Sequence, residues 1–90
     1  DDELLDFARG RGTTCFHVMG TCKMGPASDP QSVVDDTLKV HGIENLHIVD
    51  ASIMPTMPSA NLNASTLMIA EKAADLLRDH PPLPAVMLPE

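Results

Sequence analysis

Apolar and polar positions along the chain predict a few short regular elements, separated by stretches rich in Gly and Pro. Over residues 3–9 (ELLDFAR), Leu4, Leu5 and Ala8 recur at helical spacing. The stretch reads as the end of an amphipathic helix that Gly10 and Gly12 terminate. Residues 13–19 (TTCFHVM) bring β-branched, aromatic and apolar side chains together and predict a strand. Gly20, Gly25, Pro26, Asp29 and Pro30 make 20–32 a loop. Within 33–41, Leu38 to Val40 form a short extended piece after the Asp35-Asp36 turn signal, and Gly42 breaks it. Residues 46–50 (LHIVD) are the clearest strand, an apolar run ending in a carboxylate. Pro55 and Pro58 exclude 51–62 from a central strand or a helix interior. A last helix is expected from Ala64 to Arg78 with Asn63 as N-cap. Ala70, Ala73, Ala74 and Leu77 share one of its faces, and Glu71, Lys72, Asp75 and Arg78 take the other. Its alanines would let it approach a sheet closely. Pro81, Pro82, Pro84 and Pro89 then predict an extended tail over 81–90, leaving 1–80 as the structured segment.

Composition changes this picture in one respect. A chain of 90 residues buries only about 60% of its unfolded surface. This one has two Phe and neither Tyr nor Trp, so Leu, Ile, Val, Met and Ala must fill any core. The expectation is an α/β piece (an α+β fragment) of a larger core, not a complete independent fold. The net charge of −7 disfavours nucleic acid and anionic membrane as partners, which both call for a basic face. Asp1, Asp2, Glu3 and Asp6 read as a solvated first helical turn. No apolar run reaches the length of a membrane span, and no signal-peptide pattern is present. The initial Asp fits a processed, truncated or internally cut chain. Cys15 and Cys22 do not form a staple pattern, so reduced thiols and a cytoplasmic location are expected.

Three strings could carry chemistry. His17 stands in FHVMGTCKMG, where a lone His in an apolar stretch is more often structural. IVDAS (48–52) follows an apolar run with small residues, which let backbone approach a ligand. SANLNAST (59–66) sets two Asn before a helix, and its plain reading is a doubled cap. Zinc is disfavoured. Cys15 and His17 are one residue apart, no paired CxxC or HxxxH exists, and His41 and His47 are isolated. No GxSxG elbow supports a serine nucleophile.

Taken together, these strings resemble the C-terminal segment of the glucose–methanol–choline (GMC) oxidoreductases, and within them the choline-dehydrogenase-like members. The family's pattern runs close to H-P-V-G-T-C-x-M-G, V-V-D, V-V-D-A-S-x-M-P, N-x-N-A and M-I-A-E-K-A-A-D. Here stand HVMGTCKMG from His17, VVDDTLKVHGIENLHIVDASIMP from Val33, NLNAS from Asn61 and MIAEKAADLL from Met68. Order and spacing both match over about residues 13–78. Val18 and Met19 replace the usual Pro-Val after the His, and Ala60 stands where Gly is frequent.

The resemblance implies an FAD-dependent enzyme that oxidises an alcohol to a carbonyl. By that likeness His17 takes the place of the active-site base. Asn61, 44 residues on, takes the partner position, which is His in some members and Asn in others. Asp50 and Ala51 lie where the cofactor is contacted by backbone, and Leu62 and Asn63 lie beside the flavin ring. The segment would give one strand and the final helix to the FAD-binding domain, and one strand to the substrate domain. The chemistry is coherent. A neutral imidazole can take the hydroxyl proton while hydride goes to flavin N5, and an Asn amide can hydrogen-bond the developing alkoxide. The family's GxGxxG unit is absent, so tight FAD binding is expected only with the N-terminal portion of the same enzyme or a companion chain. The alternative is a non-catalytic fragment or assembly module that keeps the fold. It would show no flavin in either context.

Overall fold

The computed structural model describes residues 1–87. Two helices and one short turn of 3₁₀ helix are its regular elements. The first helix, α1, spans Asp2–Arg11. It runs through Gly10 and stops where the Gly12 N–H closes on the Ala8 carbonyl at 2.7 Å. Asp2 and Glu3 in its first turn and Arg9 and Arg11 in its last complement the helix dipole. The Arg11 guanidinium sits 5.6 Å from the centre of the Phe7 ring. None of its residues is buried, and Leu4, Leu5 and Phe7 face outwards.

The strand expected over 13–19 does not form. A strand needs a neighbour for its alternating N–H and C=O groups, and this segment has none among the described residues. Its local bonds bend it instead. The Phe16 N–H donates to the Thr14 hydroxyl, and Phe16 takes a left-handed φ of 59°. Main-chain pairing begins at Gly20.

From there the backbone forms a small pleated knot. Isolated bridges join Met24 to Val34 in parallel, Val34 to Val40 antiparallel and Lys39 to His47 antiparallel. The strand expected at 46–50 is thus reduced to one bridge, with Val40 N–H donating to Leu46 O and Ile48 N–H to Leu38 O. The α/β expectation is met only by its helices: no paired run long enough to be a strand exists among the described residues. The piece expected to be extended from Leu38 starts one residue later, because Leu38 has φ 69°. Such a φ costs of order 1–3 kcal/mol in a non-glycine residue and needs outside support. Asp35 provides it: one carboxylate oxygen accepts from the Thr37 N–H, the Thr37 hydroxyl and the Lys39 N–H. Leu38 is thereby turned into the core. Gly42, at φ 76°, closes the next turn as sequence suggested.

The core is small: Val34, Leu38, Ile53 and Ala73, edged by Met24, Val33, Val40, Ile48, Val49 and Ile69. The second helix, α2, spans Leu62–Leu77 and packs on the 3₁₀ turn Ala51–Ile53. It begins two residues before the expected Ala64, with Asn61 rather than Asn63 at the N-cap. That shift moves the buried face. Leu62, Ile69 and Ala73 point inwards, whereas Ala70 and Leu77 of the expected stripe are exposed. With Leu67 they form a second apolar stripe that nothing here covers.

The radius of gyration is 17.8 Å. A compact chain of this length would give about 12 Å. Residues 81–87 are exposed and irregular, and the end of the expected proline-rich tail, 88–90, lies outside the described residues. Few side chains are buried and much apolar surface is exposed, which is compatible with a piece of a larger core. No described helix is long and apolar enough to cross a membrane.

Candidate active site

The three strings singled out in the sequence converge on one groove. Val18, Met19 and Thr21 form one wall, Asp50, Ala51 and Ser52 a second, and Thr66 of α2 the third, around about 330 Å³. Two smaller apolar depressions lie beside α2, one lined by Val49, Ala73 and Leu76 and the other by Met24, Ile53 and Ile69.

The walls are tied by main chain. Gly20, Cys22 and Met24 donate their N–H groups to the carbonyls of Ala51 (3.3 Å), Ser52 (2.9 Å) and Ile53 (2.8 Å). Gly20 makes the first contact at φ 80°, a conformation that L side chains rarely adopt. Glycine suits this corner on that count.

His17 is exposed, one residue before the groove wall. Its Nδ1 lies 2.6 Å from the Cys15 carbonyl oxygen. A carbonyl can only accept, so Nδ1 carries the proton and donates it. In the neutral imidazole this leaves the lone pair on Nε2, which is the form a general base requires.

Asn61 is also exposed, and its side chain makes no capping bond to α2. Its amide has no hydrogen-bond partner among the described residues. Nor do the first N–H groups of α2, at Leu62, Asn63 and Ala64, have a partner within the helix. No acidic residue stands in that first turn to offset its positive end. The Leu62 side chain is buried, so Leu62 can offer a ligand only its backbone, while Asn63 is exposed. No hydrogen bond joins His17 and Asn61 among the described residues. Neither lines the groove itself: His17 directly precedes Val18, and Asn61 lies five residues before Thr66.

Asp50 serves the turn. Its Oδ1 accepts from the Ser52 N–H at 2.7 Å and from the Ser52 hydroxyl. The hydroxyl bond first, then the N–H bond, holds its carboxyl below the ordinary 3.8. Asp35 is lowered chiefly by the Thr37 hydroxyl, and Asp29 by the Lys23 ammonium 2.7 Å away. A carboxyl lowered in the folded state stabilises it above the unfolded value and loses that contribution as pH falls through the folded value. Stability should therefore be flat above about pH 4 on account of these three groups and decline below it. Carboxyl chemical shifts followed through an acid titration check this, each Asp moving at lower pH than in an unfolded peptide.

Sequence reasoning did not single out Ser52 or Thr66. The Asp50-x-Ser52 spacing was a readable signal, since an Asx side chain commonly accepts from the residue two further on. Thr66 is recognisable only once α2 is known to start at Leu62, because its hydroxyl donates to the Leu62 carbonyl one turn back (2.8 Å).

Known proteins decide the family. Residues 1–70 match the GMC oxidoreductase family. The chain belongs to that family. Among GMC relatives, it is similar to the mitochondrial choline dehydrogenase of Mus musculus, at 55% identity over 83 residues. It is likewise similar to the oxygen-dependent choline dehydrogenase of Staphylococcus haemolyticus, at 56% over 84 residues, and to that of Staphylococcus aureus, at 55% over 84. Each alignment covers 92% of this chain but only 14% or 15% of the relative. The GMC match takes in His17, Asp50, Ala51, Asn61, Leu62 and Asn63.

Proposed function

We propose that this segment supplies the proton-accepting side of an FAD-dependent site that oxidises an alcohol to a carbonyl compound. Choline is the first candidate, on the names of the relatives. The observation that carries the reading is the orientation of His17: Nδ1–H is spent on the Cys15 carbonyl, which leaves Nε2 as the free ring nitrogen one residue before Val18 of the groove wall. The resident residues also fit a flavin. An uncompensated helix N-terminus, formed by the N–H groups of Leu62, Asn63 and Ala64, suits a ring that gains negative charge. The backbone of Ala51 faces the same groove from a turn that the Asp50 carboxylate holds.

A bound flavin supplies the acceptor for the hydride that leaves the alcohol carbon. The chain's own part is the proton. Nε2 of His17 takes the hydroxyl proton, and the imidazole becomes a cation whose Nδ1–H bond to Cys15 strengthens. The Asn61 amide donates to the oxygen as its charge grows. Val18 and Met19 give the groove an apolar wall that limits water around that charge.

On this reading the segment contributes its final helix to a FAD-binding domain whose phosphate-binding half lies elsewhere in the enzyme. The chain alone, passed with FAD through a gel-filtration column, should leave the dye in the small-molecule fraction. The polypeptide that also carries the N-terminal portion should elute yellow. A colourless polypeptide in both cases would instead support an assembly module.

A further inference from the structure

We infer that Ser52 is a positioning residue, which sets the register of the His17 segment against the head of α2 without touching the reacting atoms. The inference rests on the flavin-dependent reading above. Three successive carbonyls of the 3₁₀ turn, those of Ala51, Ser52 and Ile53, receive the N–H groups of Gly20, Cys22 and Met24. Every second N–H from Gly20 to Met24 meets a carbonyl of the turn, so the turn acts as a template that the segment follows for five residues. His17 lies three residues before the first rung, and its place is inherited from that template.

The turn in its other direction is the support of α2. Ile53 is buried against Ala73, and Thr66 of α2 faces Ala51 and Ser52 across the groove. A shift of the turn therefore moves the base relative to the helix N-terminus.

Ser52 holds the turn at three atoms. Its N–H and its hydroxyl both donate to Asp50 Oδ1, and its carbonyl accepts the middle rung from Cys22. Asp50 itself is extended, with φ −157° and ψ −171°, so the chain must bend within one residue to enter the turn. A doubly anchored Asp50 carboxylate fixes that bend. The hydroxyl is the part of this arrangement that a substitution can remove while leaving every main-chain rung chemically possible.

The test uses the full-length, flavin-loaded enzyme with Ser52→Ala and Ser52→Thr. Ser52→Ala should lower kcat roughly ten- to a hundredfold, as a displaced reacting group does, with KM changed less than about threefold and the flavin content unchanged. Hydrogen exchange should quicken at the amides of Gly20, Cys22 and Met24 but not at those of Val34 or Ala73. Ser52→Thr keeps the hydroxyl and should restore both readouts. Unchanged exchange at the three rungs, or exchange quickened equally through the core, would overturn the inference. The functional reading stands or falls separately, on the variant of His17 considered below.

Discussion

Replacing His17 by alanine should lower kcat by roughly 10²–10⁴-fold, the usual contribution of a positioned general base. The size follows from what the imidazole does. Hydride departs readily only when the hydroxyl oxygen carries negative charge, and without Nε2 the proton must go to water. The structure separates this effect from a loss of folding. His17 is exposed and belongs to no core cluster, and its one hydrogen bond is to a carbonyl two residues away. The variant should melt within a few degrees of the parent and keep its flavin. Free imidazole in the buffer should return part of the turnover, because the space left by the side chain is open to solvent. Near-normal turnover would refute the base assignment. A colourless, unstable variant would mean that His17 is structural.

The second large effect is expected at Asn61. Asn61→Ala should reduce kcat by about 10²–10³-fold, the range seen when one donor to a developing oxyanion is removed. Helix capping cannot account for such a loss, since the Asn61 side chain makes no capping bond to α2 in the first place. Asn61→Asp should be worse than Asn61→Ala. It sets a carboxylate beside an oxygen that is becoming negative, and the two charges repel. Asn61→His should keep most of the activity, because a ring N–H can donate where the amide did. Steady-state kinetics on the three variants checks the order His, then Ala, then Asp.

How far the sequence revealed this molecule differs from element to element. The final helix was readable because its apolar and charged positions keep a 3.6-residue period over four turns, but its start was misplaced by two residues and its inward face was only partly right. Both Asn61 and Asn63 are good caps by residue type. What chose between them is the burial of Leu62, a tertiary contact that no local rule contains. The same contact explains why the inward face runs through Ile69 and Ala73 rather than Ala70 and Leu77. The strands failed for a related reason. TTCFHVM and LHIVD have strand composition, but composition states only that a residue fits a pleated surface. A strand also needs a neighbour, and the partners available within this chain offer single bridges. Leu38 is another case: an apolar residue with a left-handed φ is not foreseeable from propensity, and it is held there by the three bonds to Asp35.

Motif order and spacing marked His17, Asp50, Ala51, Asn61, Leu62 and Asn63, of which Asp50 and Ala51 line the groove and the other four do not. What spacing could not convey is how each residue is used. The His17 tautomer follows from a bond of 2.6 Å to Cys15, the commitment of Asp50 from its contact with Ser52, and the restriction of Leu62 to its backbone from burial. These are statements about single atoms, and they need coordinates.

The unpartnered surface has the same origin. Leu4 is 73% exposed, Phe7 64% and Leu67 59%. Residues of this kind on two helices, beside a core of a few side chains, mean that hydrophobic burial within the chain alone leaves much of its apolar area wet. The proposed N-terminal portion would cover it.

The central claim is that His17 takes the hydroxyl proton while the alcohol carbon gives its hydride to a flavin. The most direct measurement is the rate at which the visible flavin absorbance bleaches when the full-length, flavin-loaded enzyme is mixed anaerobically with the alcohol. The parent should bleach completely in a single turnover, and His17→Ala should keep its colour and bleach at least about a hundredfold more slowly. Equal bleaching rates in the two proteins, or no bleaching in the parent, would contradict the account.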